Sequence, residues 1–217
     1  MSGTGRVLPM AVAGVVLVLG AWGLDARDLA GDEVHMLVGD PLWIVDRALD
    51  PREGFVGHLP WSYWLRWVAL SAFGDAAWVW RLHAVLGAAL AAGLTARLAG
   101  VRLGGCGGAG AGLLVGLCPV LAFHAQDSSN YAWSAATGAL VLGGLWSIAE
   151  RRSQGALWLG AGLLVGGLND VYFVFLALTV AFASAGLAFR RPETRRGLAA
   201  AWIPGLVVFI PAALLFA

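Results

Sequence analysis

Apolar residues run in long blocks along this chain, and polar residues are confined to the gaps between them. The first block, Val7–Leu24, has 18 residues without a charge. A helix rises about 1.5 Å per residue, so about 20 such residues cross a hydrocarbon layer about 30 Å thick. Further blocks cover Trp80–Ala96, Leu103–Ala125, Tyr131–Ala149, Val171–Phe189 and Gly197–Ala217. Ala156–Leu168 has only 13 residues, short for a crossing. One helix over Ala156–Phe189 would be about 51 Å long, so a break at Asn169-Asp170 divides it, the first piece being short or re-entrant. The pattern predicts an all-α, polytopic transmembrane helix bundle of about seven spans.

Between the first and second blocks lies a long stretch, Asp25 to Trp78, whose apolar positions keep helical spacing in "PLWIVDRALD". Trp61, Trp64 and Trp67 follow at every third position, with Arg66 among them. Indole rings favour the headgroup zone and a long cationic side chain snorkels to it. The expectation is a long helical first outer loop (about 25–78) lying on the membrane surface. A plain span over Leu59–Phe73 fits less well, because Arg66 would sit at its middle.

Composition supports the membrane reading. Of 217 residues 59% are hydrophobic and 12% charged, about half the charge of a soluble domain. Abundant Gly and Ala suit close helix packing in lipid. Charge placement sets the orientation. All 14 basic residues are Arg. With the N-terminus in the cytoplasm, nine of them (Arg6, Arg97, Arg102, Arg151, Arg152, Arg190, Arg191, Arg195 and Arg196) fall on inner segments. Eleven of the 13 acids then fall outside. This is the positive-inside bias, and it predicts an integral membrane protein with a cytoplasmic N-terminus. Cys106 and Cys118 sit in apolar surroundings and read as inert thiols. Val7–Leu24 reads as a retained anchor, with no clear cleavage site after it. The last residues, "VVFIPAALLFA", stop within an apolar run. The expectation is a single transmembrane module, 1–217, forming the N-terminal part of a longer protein.

The unusual polar residues gather on the predicted outer side. "AGDEVH" holds Asp32 and Glu33, with His35 three positions after the Asp. His58 precedes the Trp-rich stretch, and Arg81 and His83 open the second span. His124 and Asp127 lie at the outer end of the third, Tyr131 begins the fourth, and Asn169 and Asp170 follow the fifth. Singly, each has an ordinary explanation. An acid pair in a water-facing loop is usually solvated, an Arg at a helix mouth usually anchors to headgroups, and "QDSSNY" has the composition of a helix-capping turn. Their order and spacing carry more.

Four stretches in order resemble the C-superfamily of membrane glycosyltransferases, in particular the polyprenyl-phosphate-sugar-dependent type that includes protein O-mannosyltransferases and bacterial aminoarabinose transferases. "GDE" after the first span looks like that family's Asp-Glu motif. "GHLPWSYWLRWVALSAFGDAAWVWRLHAVLGAAL" looks like its His-Pro-Pro-hydrophobic-Tyr run, Phe-Gly-Asp and Arg-Leu. "CPVLAFHAQDSSNYAW" is similar to its Ser-Pro-apolar-Gln-Glu-Ala-Arg-Pro-Tyr corner, and "GLLVGGLNDVYFVF" to its Gly-rich fifth span ending in Thr-His-Tyr. Departures stand beside these. "HLPW" has one Pro, Asp127 replaces a Glu, the Arg and Pro before Tyr131 are missing, and "NDVY" replaces Thr-His-Tyr.

The resemblance implies sugar transfer from a polyprenyl-phosphate donor to a hydroxyl of a lipid, glycan or protein acceptor, at the outer face of a bacterial-type cell membrane. Membrane lipid is a further expected partner and nucleic acid is not. It implies Asp32 as general base, Glu33 as its assistant, and Arg81 at the donor phosphate, where a planar guanidinium fork suits the oxygens. Asp127, Tyr131, His58 and His83 would complete the substrate site. No fixed cofactor is implied. A divalent metal ion remains an option, Zn²⁺ or Mn²⁺ for mixed carboxylate and imidazole ligands and Mg²⁺ for carboxylates alone. Two other classes stay open. A non-catalytic scaffold subunit or degenerate family member would explain the missing Arg and Pro. A transporter is disfavoured by the lack of mid-span charges and of an internal repeat.

Overall fold

The computed structural model describes residues 4–25, 60–170 and 172–215. No β-strand occurs among them. The helices are α1 (Thr4–Ala21), α2 (Pro60–Phe73), α3 (Ala77–Gly116), α4 (Pro119–Ala125), α5 (Tyr131–Ala149), α6 (Gly155–Asn169), α7 (Phe173–Arg190) and α8 (Arg195–Leu215), with a 3₁₀ turn at Pro192–Thr194. Three of these, α3, α5 and α7, are long and apolar enough to cross a membrane, and α6 and Val7–Ala21 of α1 are shorter apolar helices. The all-helical expectation therefore holds among the described residues, with three helices of spanning length and apolarity where the sequence pattern gave about seven spans. The predicted fourth block matches α5 end for end.

The chain divides into two compact units, with the division inside α5 between Ala136 and Thr137. In the first unit, α3 is not one rod. Gly104 has φ 74° and ψ 177°, a left-handed value that costs glycine no Cβ clash. The chain doubles back there. A methyl group on Gly108 would stand 2.5 Å from the Ala96 carbonyl oxygen, and one on Gly112 would stand 2.6 Å from that of Ala92. Residues 77–103 and 105–116 are thus two legs of a hairpin, close to where sequence put separate spans. α1 lies along both legs. Val12 approaches Gly112, Val16 approaches Gly116, and Ala13 approaches Gly93. Val12, Val16, Ala84, Ala88, Ala92 and Ala96 are buried together. Small side chains let the backbones come this close, which is how helices associate in lipid without a hydrophobic driving force.

The block predicted at Leu103–Ala125 is broken after Gly116. Cys118 is extended (φ −61°, ψ 140°), Pro119 begins α4, and the Cys118 Sγ accepts a hydrogen bond from the Leu121 N–H. The residue before a proline is pushed out of the helical region, so hydropathy alone could not carry one helix through. Cys106 and Cys118 are both free thiols.

In the second unit α6 is the central element. Leu159 and Leu163 are fully buried beside Val141, Ile148, Ala177 and Ala201. A methyl group on Gly162 would come within 2.7 Å of Val141, and one on Gly155 within 2.5 Å of the Ile148 nitrogen. α6 has 15 residues, about 22 Å of helix, as its short apolar run predicts. It ends at Asn169, where Asp170 turns extended and its Oδ1 accepts from the Tyr172 N–H at 2.9 Å.

Close approach at Gly112 and open space at Gly110 give a paired test. Gly112→Ala forces the Ala92 carbonyl aside and is expected to destabilise by about 1–3 kcal/mol. Gly110 has nothing within 4 Å of an added methyl, so Gly110→Ala is expected to be neutral or to stabilise by up to about 1 kcal/mol. Thermal unfolding of both variants in one detergent checks the contrast.

Candidate functional site

The described candidates of the first unit converge on the corner between α4 and α5. Ser128, Ser129 and Asn130 are buried there, although five consecutive polar residues would ordinarily mark an exposed turn. Three elements hold the corner. From α2, the Arg66 NH2 group donates to the Ser128 carbonyl oxygen at 2.5 Å. From α5, Trp133 donates its indole N–H to the His83 carbonyl oxygen at 2.9 Å, and the Trp61 ring meets Trp133 edge-on at 5.5 Å. From the end of α1, the Trp22 carbonyl accepts from the Gln126 amide at 3.2 Å.

α2 can do this because of its periodicity. Ser62, Arg66 and Ala69 lie on one buried face, while Trp64, Trp67 and Val68 are exposed on the other. The Trp repeat is therefore split between the two faces. Arg66, expected to snorkel outward, is instead 3% exposed. Its guanidinium carbon lies 5.1 Å from the Tyr63 ring centre and 5.7 Å from that of Trp80. Stacking on aromatic faces compensates part of its desolvation. After α2 the chain turns at Gly74, which has φ 83°. Asp75 then accepts the Trp80 indole N–H at 2.7 Å. The Phe-Gly-Asp stretch is thus a turn that fixes the start of α3.

Arg81 and His83 lie beneath the corner. Arg81 is 0% exposed and its NH1 group donates to the Leu24 carbonyl oxygen at 2.6 Å. It holds the chain where it leaves α1, and would reach a donor phosphate only if that bond opened. His83 is buried, with Nδ1 3.1 Å from the Trp80 carbonyl oxygen. A carbonyl only accepts, so Nδ1 carries the proton and Nε2 presents a lone pair. His83 Nε2 has no hydrogen-bond partner among the described residues.

The accessible rim of the corner is a second layer. His124 Nδ1 lies 3.7 Å from Asp127 Oδ2, with the two side chains 24% and 19% exposed. Ser129, buried just beneath, has its Oγ 3.4 Å from the same nitrogen, and the Tyr131 ring centre is 4.6 Å from that of His124. A carboxylate, an imidazole, a hydroxyl and a phenol within reach of one another suit hydrogen bonding to a polyhydroxyl ligand. Beside them a groove of about 200 Å³ runs between the end of α1 and α4, lined by Val16, Leu19, Ala122 and Phe123, with Gln126 at its polar margin.

Of the residues named from sequence, Asp127 and Tyr131 sit together on this rim. Arg81 and His83 lie buried under it. Asp32, Glu33, His35 and His58 lie outside the described residues. Asn169 and Asp170 belong to the second unit, where Asp170 makes the turn already described. Among the described residues no three His, Cys, Asp or Glu side chains gather as metal ligands would. The sequence reading missed Arg66 as the pin of the corner. Its one available signal was a lone charge at the centre of an otherwise uncharged helix. It also passed over Ser129. No family model, curated protein or solved structure matches this chain.

Arg66→Gln removes the donor to Ser128 and the charge stacked on two rings. Losing a charged partner of a buried carbonyl costs about 1–3 kcal/mol or more. The expected result is a lower unfolding temperature and proteolytic cleavage within 126–130, which wild type resists. Cleavage equal to wild type would mean that Arg66 does not hold the corner.

Proposed function

We propose that this chain is the membrane module of a glycosyltransferase resembling the C-superfamily, moving a sugar from a polyprenyl-phosphate donor to an acceptor hydroxyl. The observation that carries the reading is the pairing of the polar rim, His124, Asp127 and Tyr131, backed by the buried Ser129, with the apolar groove lined at one side by Gln126. A ligand matching both has an apolar tail and a hydroxyl-rich head, as a lipid-linked sugar does. In support, the second and third stretches of the family resemblance meet through Arg66, Trp61 and Trp133. The exit of α1, from which the chain runs on toward Asp32, is held by Arg81.

In this proposal the acceptor oxygen attacks the anomeric carbon of the sugar. The bond from that carbon to the phosphate oxygen breaks, and polyprenyl phosphate leaves with the electron pair. Asp32 takes the acceptor proton, Glu33 orients the acceptor, and Asp127 and Tyr131 hold sugar hydroxyls. His58 completes the binding set, and His83, buried under the rim, would join it only on opening of the corner. Cations, or a divalent ion on the acidic first loop, offset charge growing on the leaving phosphate. The spans would be α1, the two legs of α3 (the second continued by α4), α5, α6, α7 and α8. The N-terminus would be cytoplasmic and the site external. A non-catalytic scaffold is the second reading, favoured by the complete burial of Arg81.

The test is reconstitution with polyprenyl-phosphate sugars, following both lipid retention by native mass spectrometry and release of polyprenyl phosphate. Wild type is expected to retain and consume the donor. Asp32→Asn is expected to retain it and turn over at least about 100-fold more slowly. Asp127→Ala is expected to weaken retention. Retention without turnover by wild type would establish the scaffold reading, and no retention above ordinary phospholipid would overturn both.

A further inference from the structure

The second unit carries a cationic surface that the proposed transfer does not use. Two loops form it, 150–152 between α5 and α6, and 190–196 between α7 and α8. They hold six Arg and two Glu. Both Glu are already committed. Glu193 accepts from Arg151 at 2.5 Å, and Glu150 pairs with Arg152 at 2.6 Å. Four positive charges are left over on Arg190, Arg191, Arg195 and Arg196, all of them exposed. Arg190 and Arg196 have no carboxylate partner among the described residues.

The two loops are tied into one platform. Besides the Arg151–Glu193 pair, Arg191 donates to the Ala149 carbonyl oxygen at 2.5 Å. The 3₁₀ turn within the second loop is closed by Thr194, buried and donating its hydroxyl to the Arg191 carbonyl at 2.8 Å. Arg195 donates to the Ala188 carbonyl at 3.2 Å. The Glu193 carboxyl is held below the usual glutamate range by its own backbone N–H first and by Arg151 second. A depressed carboxylate stabilises the link at neutral pH and loses that contribution only as pH falls through the lowered value.

The immediate surroundings are those of a headgroup layer. Phe189, next to Arg190, is 84% exposed, and Leu157 on α6 is 71% exposed. Trp146 is exposed and donates its indole N–H to Glu150 at 2.5 Å, as aromatic residues do at membrane interfaces. A bare apolar side chain, Phe189, thus lies beside the unneutralised Arg190 on α7, and Leu157 stands one turn into α6 after the loop that holds Arg151 and Arg152.

We infer that the loops 150–152 and 190–196 form a binding platform for the headgroup phosphates of anionic phospholipids, with Arg190 and Arg196 as the free cations and the neighbouring Phe189 and Leu157 against the acyl chains. Charge complementarity selects the anionic lipid, and the flanking apolar surface selects a lipid over a soluble anion. Guanidinium suits this role because its donors match phosphate oxygens in pairs.

The test uses the full chain in nanodiscs of zwitterionic lipid with a graded fraction of phosphatidylglycerol, read by native mass spectrometry and thermal unfolding. Wild type is expected to retain phosphatidylglycerol preferentially and to melt higher as its fraction rises. The double variant Arg190→Gln/Arg196→Gln is expected to melt as wild type does in purely zwitterionic lipid. Its relative affinity for phosphatidylglycerol should fall about 25-fold, a factor of about five for each Arg near the surface. Millimolar inorganic phosphate is expected to leave retention unchanged. Equal retention by variant and wild type, displacement by inorganic phosphate, or no preference by wild type would each overturn the inference. Should the double variant melt lower in zwitterionic lipid, the single variants decide by the same affinity ratio.

Discussion

Backbone carbonyls turned away from water set the terms for the first unit. A carbonyl left unpaired in a hydrocarbon environment costs several kcal/mol, and a chain that breaks and turns between apolar helices creates such groups. Two arginines meet the need. Arg66 takes the Ser128 carbonyl and Arg81 that of Leu24. Each reaches across a long sequence interval, so each also fixes where two elements meet. With the corner held this way, Trp133 can donate to the His83 carbonyl, and the polar residues 128–130 can be buried rather than splayed into solvent. The two arginines are thus structural members of the corner.

Helix association rests on a different constraint. Lipid tails are as apolar as leucine, so burying leucine between helices gains little. What remains is close packing, and that needs backbones near each other. The hairpin at Gly104 brings Gly108, Gly112 and Gly116 against Ala92, Ala96 and Gly100, and α6 uses Gly155 and Gly162 in the same way. Apart from a few such as Leu159 and Leu163, many large apolar side chains point elsewhere. Leu114, Val120, Phe175, Phe182 and Ile203 are all well exposed. An inside-out distribution of this kind would be unfavourable in water and is what a lipid solvent allows.

Much of this was legible along the chain, and the misses have physical causes. Block length and absence of charge predicted α5 from end to end and the shortness of α6, because those signals are local. The link between the second and third blocks was placed at Arg97–Arg102, whereas the chain turns at Gly104, just inside the block read as beginning at Leu103, because a left-handed φ needs glycine and hydropathy does not register it. The block Leu103–Ala125 was read as continuous because hydropathy does not register that Cys118, preceding a proline, leaves the helical region. Arg66 was misread for another reason. A Trp every third residue looks like an interfacial face, but the face that packs is Ser62, Arg66 and Ala69, small or charged residues that hydrophobicity ranks last. Which way a lone charge points depends on whether a carbonyl awaits it, and that carbonyl lies 62 positions away. At the corner, composition indicated a turn and correctly so. Its burial is a tertiary fact with no local signature.

The corner also separates two kinds of polar residue that look alike in sequence. Arg81 and His83 are closed off by the packing of α3, whereas Asp127 and Tyr131 face outward from the same corner. Family resemblance treats the four as one binding set. Burial divides them by the kind of defect each would cause. Substituting a buried member leaves a carbonyl or a cavity uncompensated, so its first effect is on folding, and any loss of ligand follows from that. Substituting a rim member removes contacts at the surface, to His124 in both cases, and leaves the buried carbonyls paired. Asp127 is the more informative of the two rim residues, because its contact with His124 is long, at 3.7 Å, and little of the fold depends on it. A carboxylate held near an imidazole without a short hydrogen bond keeps capacity to accept from a ligand hydroxyl. A finished helix cap would have used that capacity on a backbone N–H, and the 3.7 Å contact to His124 leaves the turn between α4 and α5 without such a cap from Asp127.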